Sequence, residues 1–250
     1  MTIHRPIFAA LVSLVVLSAA VRAQQPSGAQ VNARIVCLSL SGEALSDLVV
    51  TSSPDPLETR APKDYLSDPV DYRGPARLTF QTKQALSAPP ALDPETGRPL
   101  SLPPLATVDL PAEGGEFLLL FGGKPGEYRV AALDFSSQAA PLGSYLFWNF
   151  SGRPLGLQLG AQNHLLKPGT RELVRAGVED RSYIALRVFD EDGGKARQLF
   201  ASRHFHRETT RQLVFITSVP DTDRVRLKII TQRVFEPFKT PEPPLAAMRR

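Results

Sequence analysis

Proline recurs 23 times in this 250-residue chain, and its distribution constrains the fold more than any other feature. Each proline removes a backbone donor and locks φ. It therefore breaks helix interiors and is tolerated in sheets only at edges, strand starts and turns. At about twice ordinary usage, it argues against a long-helix or coiled-coil protein. Between the prolines lie short runs rich in Val, Ile, Leu, Phe and Thr, bounded by Gly, Pro and Asp, which is the signature of strands and turns. No segment of ten or more residues has the three-and-four apolar spacing of an amphipathic helix.

In the first half, strands are expected at Arg34 to Leu40, Asp47 to Ser52, Arg77 to Lys83, Ala106 to Leu110, Glu116 to Phe121 and Glu127 to Phe135. Phe117-Leu-Leu-Leu-Phe121 is apolar at every position, so it should be a central strand covered on both sides. Two stretches interrupt the pattern. Ser53 to Pro75 and Gln84 to Pro104 are dense in proline and are expected to be extended surface loops.

Ser136 to Gly143 reads as a junction, and the second half alternates more cleanly. Leu146, Trp148 and Phe150 alternate with Tyr145, Phe147 and Asn149, and Leu155, Leu157 and Leu159 share one face. Glu172 to Arg175, Gln198 to Phe205 and Arg211 to Ser218 supply further strands. Ile184, Leu186 and Val188 point one way while Tyr183, Ala185 and Arg187 point the other. Val225, Leu227 and Ile229 alternate with Arg224, Arg226 and Lys228, which predicts one buried and one solvated face.

The resulting expectation is an all-β protein of two sandwich-like antiparallel domains with Pro-rich loops, immunoglobulin-like in architecture but without the disulfide. The first domain should cover 31–135, with its loops at 53–75 and 84–104, and the second 142–235, followed by a disordered tail over 236–250. Lys124-Pro-Gly126 and Lys167-Pro-Gly169 both lead into strands. A duplicated sandwich would leave such an echo, as would reuse of a favourable turn, which is the reading taken.

Tyr72-Arg-Gly-Pro-Ala-Arg-Leu-Thr-Phe80, the run Gly143-Ser-Tyr-Leu-Phe-Trp-Asn-Phe-Ser-Gly-Arg-Pro-Leu155, Leu157-Gln-Leu-Gly160 and Leu166-Lys-Pro-Gly169 resemble an uncharacterised family of secreted bacterial proteins. The similarity spans most of the chain after its leader, and its motifs are structural turns and strands. It implies export and an all-β fold in two parts, and no activity.

The first 23 residues carry an address. His4 and Arg5 form a short basic start, Ile7 through Leu17 an apolar run, and Val21-Arg22-Ala23 a peptidase-compatible end. This is the pattern of a secretory signal peptide cleaved after Ala23, followed by a polar leader over 24–30. The apolar run is shorter than the ~20 residues a membrane-spanning helix needs. No cysteine stands at the cleavage point to carry a lipid. The expected location is therefore periplasmic or secreted, without stable membrane insertion.

Cleavage removes Arg5 and Arg22 and no acid, leaving 27 Lys and Arg against 25 Asp and Glu, a net charge of +2. That excess makes no electrostatic case for nucleic acid. The single cysteine, Cys37, excludes an internal disulfide framework. It lies in an apolar strand, so burial is expected rather than pairing between chains.

Motifs for chemistry are sparse. There is no His-Glu-x-x-His and no Gly-x-Ser-x-Gly. Gly122-Gly-Lys-Pro-Gly126 has Pro125 where a phosphate loop needs Ser or Thr, and reads as a hairpin turn. His204 and His206 would share a strand face about 7 Å apart and could grip a metal ion if His164 or Glu208 supplied a third ligand. Asp190, Glu191 and Asp192 offer calcium oxygens without the EF-hand spacing. Arg224, Arg226 and Lys228 could form a basic partner surface or be the solvated face of a half-buried sheet. Asn149-Phe-Ser151 matches the N-glycosylation triplet but falls inside an expected strand.

The functional expectation is an exported non-catalytic module that needs no cofactor and binds a partner protein or glycan in the envelope or outside the cell. The alternatives are a polysaccharide hydrolase whose carboxylates are dispersed in sequence, and a metal-binding protein using His204 and His206.

Overall fold

A computed structural model describes residues 30–192, 195–219 and 221–233. The expected signal peptide, all but Gln30 of the polar leader, and the expected tail lie outside the described residues. The chain forms two eight-stranded sandwiches. The first contains β1 (Gln30–Ser39), β2 (Leu45–Val50), β3 (Leu57–Ala61), β4 (Val70–Pro75), β5 (Arg77–Thr82), β6 (Ala106–Asp109), β7 (Gly115–Gly122) and β8 (Arg129–Asp134), with a short helix α1 (Lys83–Ser87) after β5. The second contains β9 (Ser144–Phe150), β10 (Leu155–Leu159), β11 (Gln162–Leu166), β12 (Arg171–Arg175), β13 (Tyr183–Asp192), β14 (Lys195–Phe205), β15 (Thr210–Ser218) and β16 (Val225–Arg233).

The two sandwiches share one topology. The sheets of the first run β4-β1-β7-β8 and β3-β2-β5-β6, and those of the second run β12-β9-β15-β16 and β11-β10-β13-β14. Every strand of the second takes the place of the strand eight positions earlier. The pairing is antiparallel except at the centre of one sheet in each sandwich, where β1 runs parallel to β7 and β9 to β15. The two Lys-Pro-Gly turns are no trace of this repetition: one joins β7 to β8, the other β11 to β12, and these places do not correspond.

The sheets that carry the parallel pairs are buried on both faces. Ile35 and Cys37 of β1, with Phe117, Leu119 and Phe121 of β7, fill the first sandwich. Tyr145 and Phe147 of β9, with Val214 and Ile216 of β15, fill the second. The alternate residues Val36, Leu38, Leu118 and Leu120 meet Leu146, Trp148, Leu213 and Phe215 in a third core between the sandwiches. Two-residue alternation thus gives one strand two apolar faces for two different cores. At the middle of this seam the Trp148 and Phe215 rings stack, with centroids 4.9 Å apart. The result is four layers of sheet.

Cations from the second sandwich fasten the seam by donating to carbonyls. Arg211 is buried, lies over the Phe135 ring with its guanidinium 3.8 Å from the centroid, and donates to the Ala140 carbonyl. Lys228 Nζ donates to the Ser39 carbonyl at 2.9 Å, and Arg171 to that of Asp134 at 3.3 Å. Burial draws the pKa of both Arg211 and Lys228 below their ordinary values.

The stretch 53–75 departs from its expectation as a loop, because it holds two strands, β3 and β4. Both lie at sheet edges, and Pro54, Pro56, Pro62 and Pro69 fall in the turns around them. Proline density therefore marked edges and turns, where a missing donor costs nothing. The second stretch, 84–104, contains no strand but is not idle. Val49 and Gln81 sit on the outward side of β2 and β5, yet both are buried. The stretch crosses that face, with α1 packing on β2 and β5 and Gln81 Nε2 donating to the Pro103 carbonyl at 2.8 Å.

Candidate functional site

No segment among the described residues crosses the outward face of β13 and β14. Tyr183 and Phe205 are direct cross-strand partners whose rings meet edge to face with centroids 5.3 Å apart. They are 64% and 40% exposed, a large apolar area to leave in water. Arg203 lies over the Tyr183 ring at 5.3 Å and Arg207 over the Phe205 ring at 5.5 Å. Neither arginine has an ion-pair partner among the described residues. The strand fixes this grouping, because Ala185 opposite Arg203 leaves room for the guanidinium to lean over its neighbour. Rings and cations hold each other in place, so little side-chain freedom remains to be lost on binding.

The histidines occupy other places. His204 and His206 do share a face of the strand as their spacing predicts, but that face is the interior one. His206 is buried and stacks on Tyr145 with centroids 5.9 Å apart. The Nε2 of His204 lies 2.7 Å from Ser202 Oγ, and burial pushes its pKa down. His164 is on β11, at the opposite edge of the same sheet, three strand spacings or about 14 Å across. There its Nδ1 is 3.2 Å from Glu172, closing the gap between edge strands β11 and β12. Glu208 is exposed, and its backbone N–H is bonded to Asp180. Among the described residues no three His, Cys, Asp or Glu side chains gather as a metal site.

The basic row Arg224, Arg226 and Lys228 is solvated only in part. Lys228 pairs with Phe215 and Ile230 with Leu213 across β15 and β16, so this side of β16 is the one turned toward the first sandwich. Ile230 belongs to the seam and Lys228 is bonded to Ser39, while Arg224 and Arg226 remain exposed. The alternation was legible, but the sheet is covered on both sides by a partner the sequence does not announce.

Other singled-out residues are structural. Asp190 is gripped by Arg153 at 3.2 Å and Arg197 at 3.1 Å. Arg197 also reaches Asp223 at 3.6 Å, beside an open cleft of about 580 Å³ lined by Arg197, Gln198, Thr222, Asp223 and Arg224. Cys37 is fully buried, and burial pushes its thiol up to about 12. Asn149 is buried and donates from Nδ2 to the carbonyls of Arg153 at 2.8 Å and Leu166 at 2.9 Å. Its amide is committed inside the fold. A cavity of about 240 Å³ beside β3 holds Glu58 and Asp68, each engaged by a cation, Lys83 at 2.6 Å and Arg60 at 3.0 Å.

No family model and no curated protein matches this chain. The aromatic–arginine face escaped sequence reasoning, because Arg203-His-Phe-His-Arg207 was weighed for its histidines. Its alternate positions, Arg203, Phe205 and Arg207, were the available signal. The place of Tyr183 opposite Phe205 depends on strand register.

Proposed function

We propose that this protein is an exported, non-catalytic β-sandwich module that binds an acidic partner protein in the cell envelope or outside the cell. The observation that carries the reading is the exposed Tyr183–Phe205 pair with an arginine lying over each ring. Tyr and Arg are the side chains that concentrate binding energy at protein interfaces, in rigid clusters that exclude water on contact. Arg203 and Arg207 form no ion pair among the described residues, which favours carboxylates opposite them. A glycan is the poorer fit, since a sugar stacks on an open ring face and here a guanidinium lies over one face of each ring. Export rests on the leader over residues 1–23.

The test is affinity capture from the envelope of the host with the mature protein, beside a Tyr183→Ala/Arg203→Glu variant. A partner recovered by the wild type and lost from the variant, at matching melting temperature, supports the reading. Equal recovery by both proteins removes this face from consideration. N-terminal sequencing of the exported protein should begin at Gln24, and an unprocessed start at Met1 contradicts export.

A further inference from the structure

We infer that the partner contributes an acidic, extended segment that adds as a further strand to the free edge of β14. This rests on the binding reading above and specifies its mode. Sheet β11-β10-β13-β14 ends at β14. The His206 N–H donates to the Ser182 carbonyl at 2.7 Å, and hydrogen bonding alternates along an antiparallel pair. Ser202 and His204, opposite Leu186 and Ile184, therefore also bond to β13. Ala201, Arg203 and Phe205 turn their N–H and C=O groups off the sheet, and no described residue meets them there. Their side chains stand on the bare outer face. An added strand would thus gain main-chain hydrogen bonds and place its own side chains beside Arg203 and the Tyr183–Phe205 rings.

Charge selects the occupant. Arg203 lies on this edge and Arg207 just past its end, and the chain carries no Asp or Glu from Lys195 to Arg207. A second copy pairing edge to edge would bring cations against cations, the device by which natural edges avoid each other. A segment bearing Glu or Asp would find the opposite. Length is set as well: the pairing shifts between Val188 and Phe189, leaving Leu199 as an extra residue on β14. The regular edge thus runs from Phe200 to Phe205. The edges at the far end of this sandwich differ, since β11 and β12 span five residues each and are tied together by His164 and Glu172.

The probe is a labelled synthetic peptide of alternating Glu and Val, about eight residues long, with a second version N-methylated at every other amide. Binding of the first to the full mature protein, followed by anisotropy, should fall at least about tenfold on N-methylation, because the ladder loses its donors. It should fall similarly with Ala201→Pro, which removes one outward N–H and leaves the β13 ladder intact. Amide exchange at Ala201, Arg203 and Phe205 should slow when peptide binds, a measurement that stands whether or not the proline variant folds. Binding that is lost with Arg203→Glu but indifferent to N-methylation, with no slowing of those amides, overturns strand addition and leaves the surface reading standing. No peptide binding by the wild type also overturns strand addition. Binding untouched by Arg203→Glu and Arg207→Glu together overturns both.

Discussion

The two sandwiches have the same strand order but differ in what lies on their outward sheets. In the first, the stretch 84–104 crosses the face of β2 and β5, so Val49 and Gln81 are buried on what would otherwise be the wet side. In the second no described residue crosses, and Tyr183, Phe205 and Leu165 are exposed. The repeated part, a parallel pair at the heart of an inner sheet, does the same work in both halves: it supplies one face to its own core and the other to the seam. The unrepeated part is where a surface is either closed or left available. A duplicated scaffold can hold its inner sheets constant and vary only the cover.

Single substitutions on the seam and on the two outer sheets put this contrast at risk. The largest effect is expected at the seam, which belongs to both halves equally. Trp148→Ala removes the stacked partner of Phe215 and should cost about 3–5 kcal/mol in urea unfolding. It should also split a single transition into two as the sandwiches uncouple. A small loss with one sharp transition would mean that the halves are not joined by this core.

An alkaline effect comes next, and it separates the halves. Cys37 on β1 and Tyr145 on β9 occupy corresponding strands, and burial pushes both up to about 12 from ordinary values of 9.0 and 10.0. The folded state keeps each neutral, so stability is full below the ordinary value and declines as pH rises toward the folded one. The slope should be about 1.4 kcal/mol per pH unit for each group. Urea midpoints should begin to fall near pH 9 in the wild type and near pH 10 in Cys37→Ala. Identical onsets would remove Cys37 from the explanation.

The smallest effects test covered against bare. Val49→Ala, beneath the crossing stretch, should cost about 1–2 kcal/mol, from roughly 0.8 kcal/mol per buried methylene. Tyr183→Ala, on the open face, should stay within about 0.5 kcal/mol in thermal melts. Equal losses would show that the second outer sheet is not open in solution.

Much of the scaffold was legible because it depends on short-range rules. Ile184, Leu186 and Val188 alternate with Tyr183, Ala185 and Arg187, and they do line the second core. Phe117 through Phe121 are apolar throughout, and β7 is indeed covered on both faces. Strands β3 and β4 were hidden because proline was read as excluding a sheet, when it excludes only the positions that must donate. On the basic side of β16 only Lys228 departs from its expectation. Arg224, Arg226 and Lys228 look solvated in sequence, yet Lys228 is polar only at its tip and reaches the Ser39 carbonyl at the rim of a buried seam.

Alternation and turn chemistry, which act over a few residues, determined that this chain is built of β-strands and where most of those strands lie. The tertiary structure alone decided that two sandwiches of one strand order share a third core, that the histidines face inward, and that Tyr183 meets Phe205 under a pair of arginines. Those outcomes depend on register and on sheet-to-sheet packing between residues far apart in the chain, which no local pattern encodes.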